Sequence, residues 1–246
     1  MSIAEKLTTI AENVQKVYEQ GRKAQGQEFW DSYIHSDYNT DYMFAGRGWK
    51  PSNFKPPARR IYPWSAQGMF QAFADVTAVT ESLDLVEHLA KYNAELDFSR
   101  CVAMQNLFGG AKIGRVGVID IRKVTSSYYG IFASKYLVTV DELKVDENTK
   151  YSSTFLNATA LENLTITGTI GQNGFSVAQS TLLSKPSIKS IINALSTTTS
   201  GLTVTLSKTA VNNAFGINID DPTTWAEGTE YYELRHSRDN WTITYV

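Results

Sequence analysis

The chain has very little of what disulfide scaffolds, metal sites and membrane anchors are built from. Its 246 residues include one cysteine, six prolines and three histidines. A single thiol, Cys101, excludes an intrachain disulfide and a cysteine-based metal site. Within Arg100-Cys101-Val102-Ala103-Met104 it reads as a small buried hydrophobe. His35, His88 and His236 stand far apart and form no ligand-spaced pair, so no metal or other cofactor is expected. No segment approaches the roughly eighteen consecutive apolar residues of a spanning helix, and membrane insertion is not expected. An excess of one charge is missing too: 23 Lys and Arg stand against 25 Asp and Glu, a formal net charge of -2. A nucleic-acid partner would favour a clustered basic face. The densest basic spot, Lys55 with Arg59 and Arg60, reads as a solvated loop, and no nucleic acid is expected.

Signatures of catalysis are also lacking. The chain has no Gly-x-Ser-x-Gly elbow, no His-Glu-x-x-His pair and no complete phosphate loop. Gly46-Arg47-Gly48 lacks the following Gly and Lys and reads as a turn. Asp84, Glu87 and His88 could be drawn as an acid–base cluster, but on a helix they read as a solvated face. The expectation is a protein that is not an enzyme. The start, MSIAEKLTTIAENVQKV, has neither the basic opening nor the unbroken apolar run of a secretory signal. A chain made and used without signal-dependent export is therefore expected.

What is present is patterned. At 42% hydrophobic and 20% charged, composition is that of an ordinary folded domain. Ser2 and Glu5 match a capping box, in which each side chain satisfies a backbone N–H at a helix start. Ile3, Leu7, Ile10, Val14 and Val17 then follow at alternating steps of four and three, a heptad seam narrower than the face of a core helix. With β-branched Ile3, Ile10 and Val17 at d and Leu7 at a, the seam disfavours a parallel dimer. A coiled-coil-like oligomerisation helix over residues 1–28, with a homotrimer as first choice, is the reading. The alternative is one helix folded back on its own domain.

Residues 29–67 are aromatic and broken by Gly46, Gly48, Pro51, Pro56 and Pro57. Tyr33, Tyr38, Tyr42, Phe44, Trp49 and Phe54 are too many to leave in water and are expected to cap the end of the next segment. That segment, residues 68–183, carries internal repeats. Phe108 leads through Ile113 and Val116 to Ile119 and Ile121; Phe132 leads through Leu137 and Val140 to Leu143 and Val145. Phe155 leads through Leu161 and Leu164 to Ile166. Phe108, Phe132 and Phe155 thus recur at nearly equal intervals. Irregular copies start at Phe70 or Phe73 and at Phe175. One such unit cannot cover its own apolar face, so copies stack in parallel and share a core.

Residues 184–246 read as an α/β cap, which the open sheet edge of such a stack requires. Ser184 and Pro186 open a helix with Ile188, Ile191, Ile192 and Leu195 on one face. Leu202–Leu206 and Trp241–Tyr245 alternate as strands, and Asp221-Pro222 starts a last helix around Tyr231 to Arg238.

The phrase Phe155-Leu-Asn-Ala-Thr-Ala-Leu161-Glu-Asn-Leu164-Thr-Ile166 resembles the core of BspA-like leucine-rich repeats, with Ala158 where that family often has cysteine. The opening Ile3-Ala-Glu-Lys-Leu7-Thr-Thr-Ile10 and the closing Asn240-Trp241-Thr-Ile243 are similar to the ends of such proteins encoded by phages and prophages of gut Firmicutes. The resemblance implies an α/β fold, a short leucine-rich-repeat solenoid with a parallel strand stack. It also implies a virion- or surface-associated binding role, and it carries no catalytic residue. A phage virion protein of the tail, acting in host attachment, is the first expectation; a bacterial surface adhesin is the second. The outward strand residues Asp120 and Arg122, Lys144 and Asp146, Thr165 and Thr167 are the binding candidates, a mixed polar strip suited to a protein or glycan surface.

The seam residues generate the first prediction. Light scattering on the full chain should give an oligomer, and deletion of residues 1–25 should make it monomeric. A monomeric full-length chain would remove the coiled-coil reading.

Overall fold

The computed structural model describes residues 40–45, 52–56, 58, 60–73, 82–126 and 128–246. The expected helix over 1–28, with Ile3, Leu7, Ile10, Val14 and Val17, lies outside the described residues, as do Tyr33, Tyr38 and Trp49. The fold is mixed α/β with parallel sheets. Its described strands are β1 (Arg60–Ile61), β2 (Leu83–Asp84), β3 (Glu95–Leu96), β4 (Ile113–Asp120), β5 (Thr139–Val145), β6 (Asn163–Gly168), β7 (Leu202–Leu206) and β8 (Trp241–Tyr245). The four described helices are α1 (Leu85–Lys91), α2 (Lys185–Ala194), α3 (Lys208–Phe215) and α4 (Glu230–His236). Strands join as β1-β3, β2-β4-β5-β6 and β7-β8, every pair parallel.

The chain stacks as successive turns around a column of phenylalanine rings. Phe44, Phe70, Phe108, Phe132, Phe155 and Phe175 lie one above the next, with centroids 5.3, 5.5, 6.0, 4.9 and 5.6 Å apart. Each of the first five sits two positions after a left-handed backbone residue: Tyr42 (φ 55°), Gly68 (56°), Asn106 (47°), Gly130 (61°) and Ser153 (48°). The N–H of each of the first four left-handed residues donates to the carbonyl just before the next one: Tyr42 to Gln67, Gly68 to Gln105, Asn106 to Tyr129, Gly130 to Ser152. The first four phenylalanine N–H groups follow the same rule with Met69, Leu107, Ile131 and Thr154. Left-handed residue, one spacer, phenylalanine is thus the repeated unit. At Gly68 and Gly130 closeness adds to backbone sign, because a Cβ would meet the Tyr42 ring at 2.6 Å or Asn106 Oδ1 at 2.5 Å. Elsewhere Asn106 and Ser153 accept the conformation, at the energetic cost a non-glycine residue bears there.

Inward strand residues complete the core. Val116, Val140 and Leu164 stand in register, and so do Ile119, Leu143 and Ile166; all six are buried. Between these two rows β4 and β5 each take a step of three, whereas β6 takes a step of two, so the register shifts between β5 and β6. Phe54 packs edge-on against Phe44 and Phe70 and lies against Phe73 at 5.1 Å. Tyr42 departs from the capping expectation: it is 62% exposed. Cys101 is fully buried, and its thiol donates to the Ala103 carbonyl at 3.2 Å. Burial pushes the thiol pKa up to about 12.

Beyond β6 the chain continues as α2, β7, α3, α4 and β8. α2 buries Ile188, Ile191 and Ile192 as its spacing requires, and Arg238 donates to the carbonyls of Asn193 and Leu195 at its C-terminus. β7 and β8 pair along their whole length. The expected last helix is divided: Asp221 caps a 3-10 turn, Pro222–Trp225, and Thr229 caps α4 separately. Gly228 (φ 88°) lies between them, a conformation in which a helix cannot run on. α3 was not expected; Ser207 caps its start and left-handed Gly216 ends it.

Phe132 touches a ring on both sides, so Phe132→Ala removes a buried side chain and two stacking partners. A loss of about 3–5 kcal/mol is expected from urea denaturation. A loss below about 1 kcal/mol would show that the ring column does not hold the stack together.

Candidate functional site

The step of three in β4 and β5 decides what the outward sheet surface carries. In strict alternation one residue separates two inward ones. Here Gly117 and Val118 lie between Val116 and Ile119, and Asp141 and Glu142 between Val140 and Leu143. β4 and β5 keep one-to-one register through this step, and the extra residue of β5 makes a β-bulge against β6. The step places Asp141 and Glu142 beside Arg115, Val118 and Lys144, residues that the alternating pattern alone did not single out. Arg115 grips Asp141 with two hydrogen bonds of 2.9 Å and reaches Asp84 at 3.3 Å. Its pKa is raised, first by the hydrogen bonds to Asp141 and then by the attraction of that carboxylate.

The strip candidates divide. Asp120, Lys144 and Thr167 are register neighbours across β4, β5 and β6. Thr165 is exposed on β6, and Thr167 donates to Glu142 at 2.7 Å. Arg122 lies just past β4 in a turn but joins the row through Asp120, which it holds at 3.0 and 2.6 Å. Asp120 is consequently not a solvated strand residue: it is only 6% exposed. Asp146 leaves the row, lying past β5 and accepting hydrogen bonds from the Asn148 N–H and the Thr149 hydroxyl. Its role is to close that turn.

Beside the row the sheet is interrupted. The chain between Phe70 and Phe108 is longer than that between Phe108 and Phe132 or between Phe132 and Phe155, and the extra length holds β2 and α1. β2 pairs with β4 only at Leu83↔Ile113 and Asp84↔Arg115, after which Asp84 caps α1 and the chain turns away. It returns as β3, which pairs with β1. The segments after β3 and β4 come together again at Ala103↔Ser126. Between those two points lies a cleft. Its upper part, about 370 Å³, is lined by Leu85, Val86 and Leu89 of α1, by Leu96 and Phe98, and by Val116–Ile119 with Asp141. Its lower part, about 260 Å³, shares Glu95, Leu96, Phe98 and Val118 and continues to Asp97, Asp120, Arg122 and Lys144. Val118 is 45% exposed at its wall.

The three acid–base candidates take separate roles. Asp84 caps the helix and meets Arg115, and Glu87 is exposed. His88 is buried rather than on a solvated face, hydrogen-bonded to the Phe54 carbonyl and stacked on the Phe54 ring at 5.2 Å. It is a packing residue.

The two edges of the β2-β4-β5-β6 sheet are treated differently. Along β6, the α2 hydroxyls take the place of a neighbouring strand: Ser187 accepts from the Leu164 N–H at 2.9 Å and Ser190 from the Ile166 N–H at 2.8 Å. Ser187 also donates to the Glu162 carbonyl at 2.9 Å. Along β4, among the described residues, no strand pairs with the cleft-facing edge beyond Arg115. Neither serine was singled out from the sequence, because the helix pattern identifies only the apolar face.

Compared with models of known protein families, with curated proteins and with solved structures, the chain matches none. The site therefore rests on geometry. Ser187→Ala strands a buried backbone N–H, and a loss of about 1–3 kcal/mol is expected in denaturant unfolding; an unchanged midpoint would show that the edge needs no such partner.

Proposed function

We propose that the protein is a non-enzymatic binding and structural protein, a short leucine-rich-repeat solenoid that serves as a tail-associated component of a phage virion in host attachment. The observation that carries this reading is the stack itself. Units built on one left-handed turn and one phenylalanine set β4, β5 and β6 side by side, so that Asp120, Lys144 and Thr167 form a continuous outward row with Thr165 and Arg122 at its margins. A row of mixed polar groups held by its own ion pairs suits a protein or glycan surface and keeps its shape without a ligand. The N-terminal seam supports assembly of several copies, and multivalency turns weak contacts into firm attachment. The resemblance of both chain ends to phage-encoded BspA-like proteins supports the virion setting. A bacterial surface adhesin of the same build is the second reading, favoured by the same outward row.

The purified chain, fluorescently labelled, should bind gut Firmicutes cells saturably, and a Lys144→Ala, Thr165→Ala, Thr167→Ala triple variant should bind at least tenfold less. Undiminished binding by that variant would move the site off the strand row, and no binding by the parent chain would overturn attachment. Immunogold labelling separates the two settings: decoration of particles supports the virion, and decoration of cell walls supports the adhesin.

A further inference from the structure

We propose that the cleft between β3 and β4 receives one extended peptide segment of another protein, which adds a strand to the free edge of β4 and seats an apolar side chain between basic ones. The inference deepens the binding reading by naming a partner class for a second surface beside the outward row.

Three features point to an extended chain. First, the parallel ladder is broken here and nowhere else among β1, β3, β4, β5 and β6. Among the described residues, β4 offers the cleft an edge with no strand neighbour beyond Arg115. Backbone groups on such an edge are matched by another backbone. The opposite edge, on β6, is closed by Ser187 and Ser190, so strand addition is directed to this side. Second, the walls are apolar and belong to three elements. Val86 and Leu89 come from α1, Leu96 and Phe98 from the β3 segment, and Val118 from β4. With about 370 Å³ the upper part holds one large side chain with room for the backbone that carries it. Alternate residues of an added strand would point into this space and away from it.

Third, charge selects the flanking residues. Among the described residues that line the cleft, four are carboxylates, Glu95, Asp97, Asp120 and Asp141, and two are cations, Arg122 and Lys144. The two-charge excess is negative and lies in a concave space, where it favours Lys or Arg on the incoming strand. An acidic strand would meet the same carboxylates and be repelled. Apolar in the middle and basic on either side is the pattern that the cleft complements.

The test uses the full chain and two synthetic heptapeptides, Lys-Val-Lys-Phe-Lys-Val-Lys and its Glu counterpart, with both ends blocked. A third peptide has the basic sequence with alternate backbone nitrogens methylated, which keeps every side chain and removes half the N–H donors. Calorimetric titration should show binding of the basic peptide, at least tenfold weaker binding after methylation, and none by the acidic peptide. Val118→Lys, a substitution at an exposed position, should weaken the basic peptide at least tenfold. Equal binding of the methylated peptide would overturn strand addition, and equal binding of the acidic peptide would overturn the charge selection. Absence of binding by the basic peptide would overturn the proposal, as would self-association of the parent chain that Val118→Lys abolishes, which would make the occupant a second copy. No cells or particles enter this titration, so its failure leaves the attachment reading to stand or fall on cell binding.

Discussion

Stacking one phenylalanine ring on the next fixes the pitch to which everything else conforms. Ring centroids 4.9–6.0 Å apart over Phe70, Phe108, Phe132 and Phe155 lie close to the spacing of about 4.8 Å between paired strands. Rings, turns and strands can therefore advance together from one unit to the next. The left-handed residue two positions before each ring is what makes this compatible with the chain's path. It turns the backbone so that successive N–H groups meet the carbonyls of the neighbouring unit, which satisfies the buried polar backbone of the column.

The same constraint explains where the molecule opens. Phe70 and Phe108 stay stacked at 5.5 Å although more chain separates them than separates the later rings. The ring column and the Ala103↔Ser126 bridge hold the two units together on one side. The inserted β2 and α1 must then be accommodated on the other, and they part β3 from β4. A cleft thus follows from extra chain length in a stack whose opposite side cannot lengthen. Its apolar walls are continuous with the core, since Val116, Ile119 and Phe98 belong to both. Its charged rim comes from Glu95 and Asp97 of the β3 segment, from Asp120, Arg122 and Lys144, and from Asp141 in the step of three.

The column and the sheet edge meet different needs. Among the described residues Phe54 packs against Phe44 and Phe70, apolar ring against apolar ring. On β6 the feature is a strand edge, which needs hydrogen-bonding partners rather than apolar cover. α2 meets that need by presenting serines toward β6 and isoleucines toward the core. Arg238 and Asn240 then tie the tail back to the end of α2 and the segment after it.

The sequence alone determined the repeating anchors Phe108, Phe132 and Phe155, the inward rows from Val116 to Ile166, the helix at Lys185–Ala194 and the closing strands. These are local periodicities, and burial of apolar side chains imposes them on the sequence directly. It did not reveal the left-handed column, because Tyr42, Gly68, Asn106, Gly130 and Ser153 share a backbone angle and not a side chain. The shared step of three was equally hidden: Gly117-Val118 and Asp141-Glu142 look like a lapse in alternation until two neighbouring strands lapse together. The burial of Asp120 under Arg122, the packing role of His88 and the cleft between β3 and β4 were decided only by tertiary structure. Each depends on which segment lies beside which. The ring column sets that by joining residues far apart in the chain, beyond the reach of any local pattern.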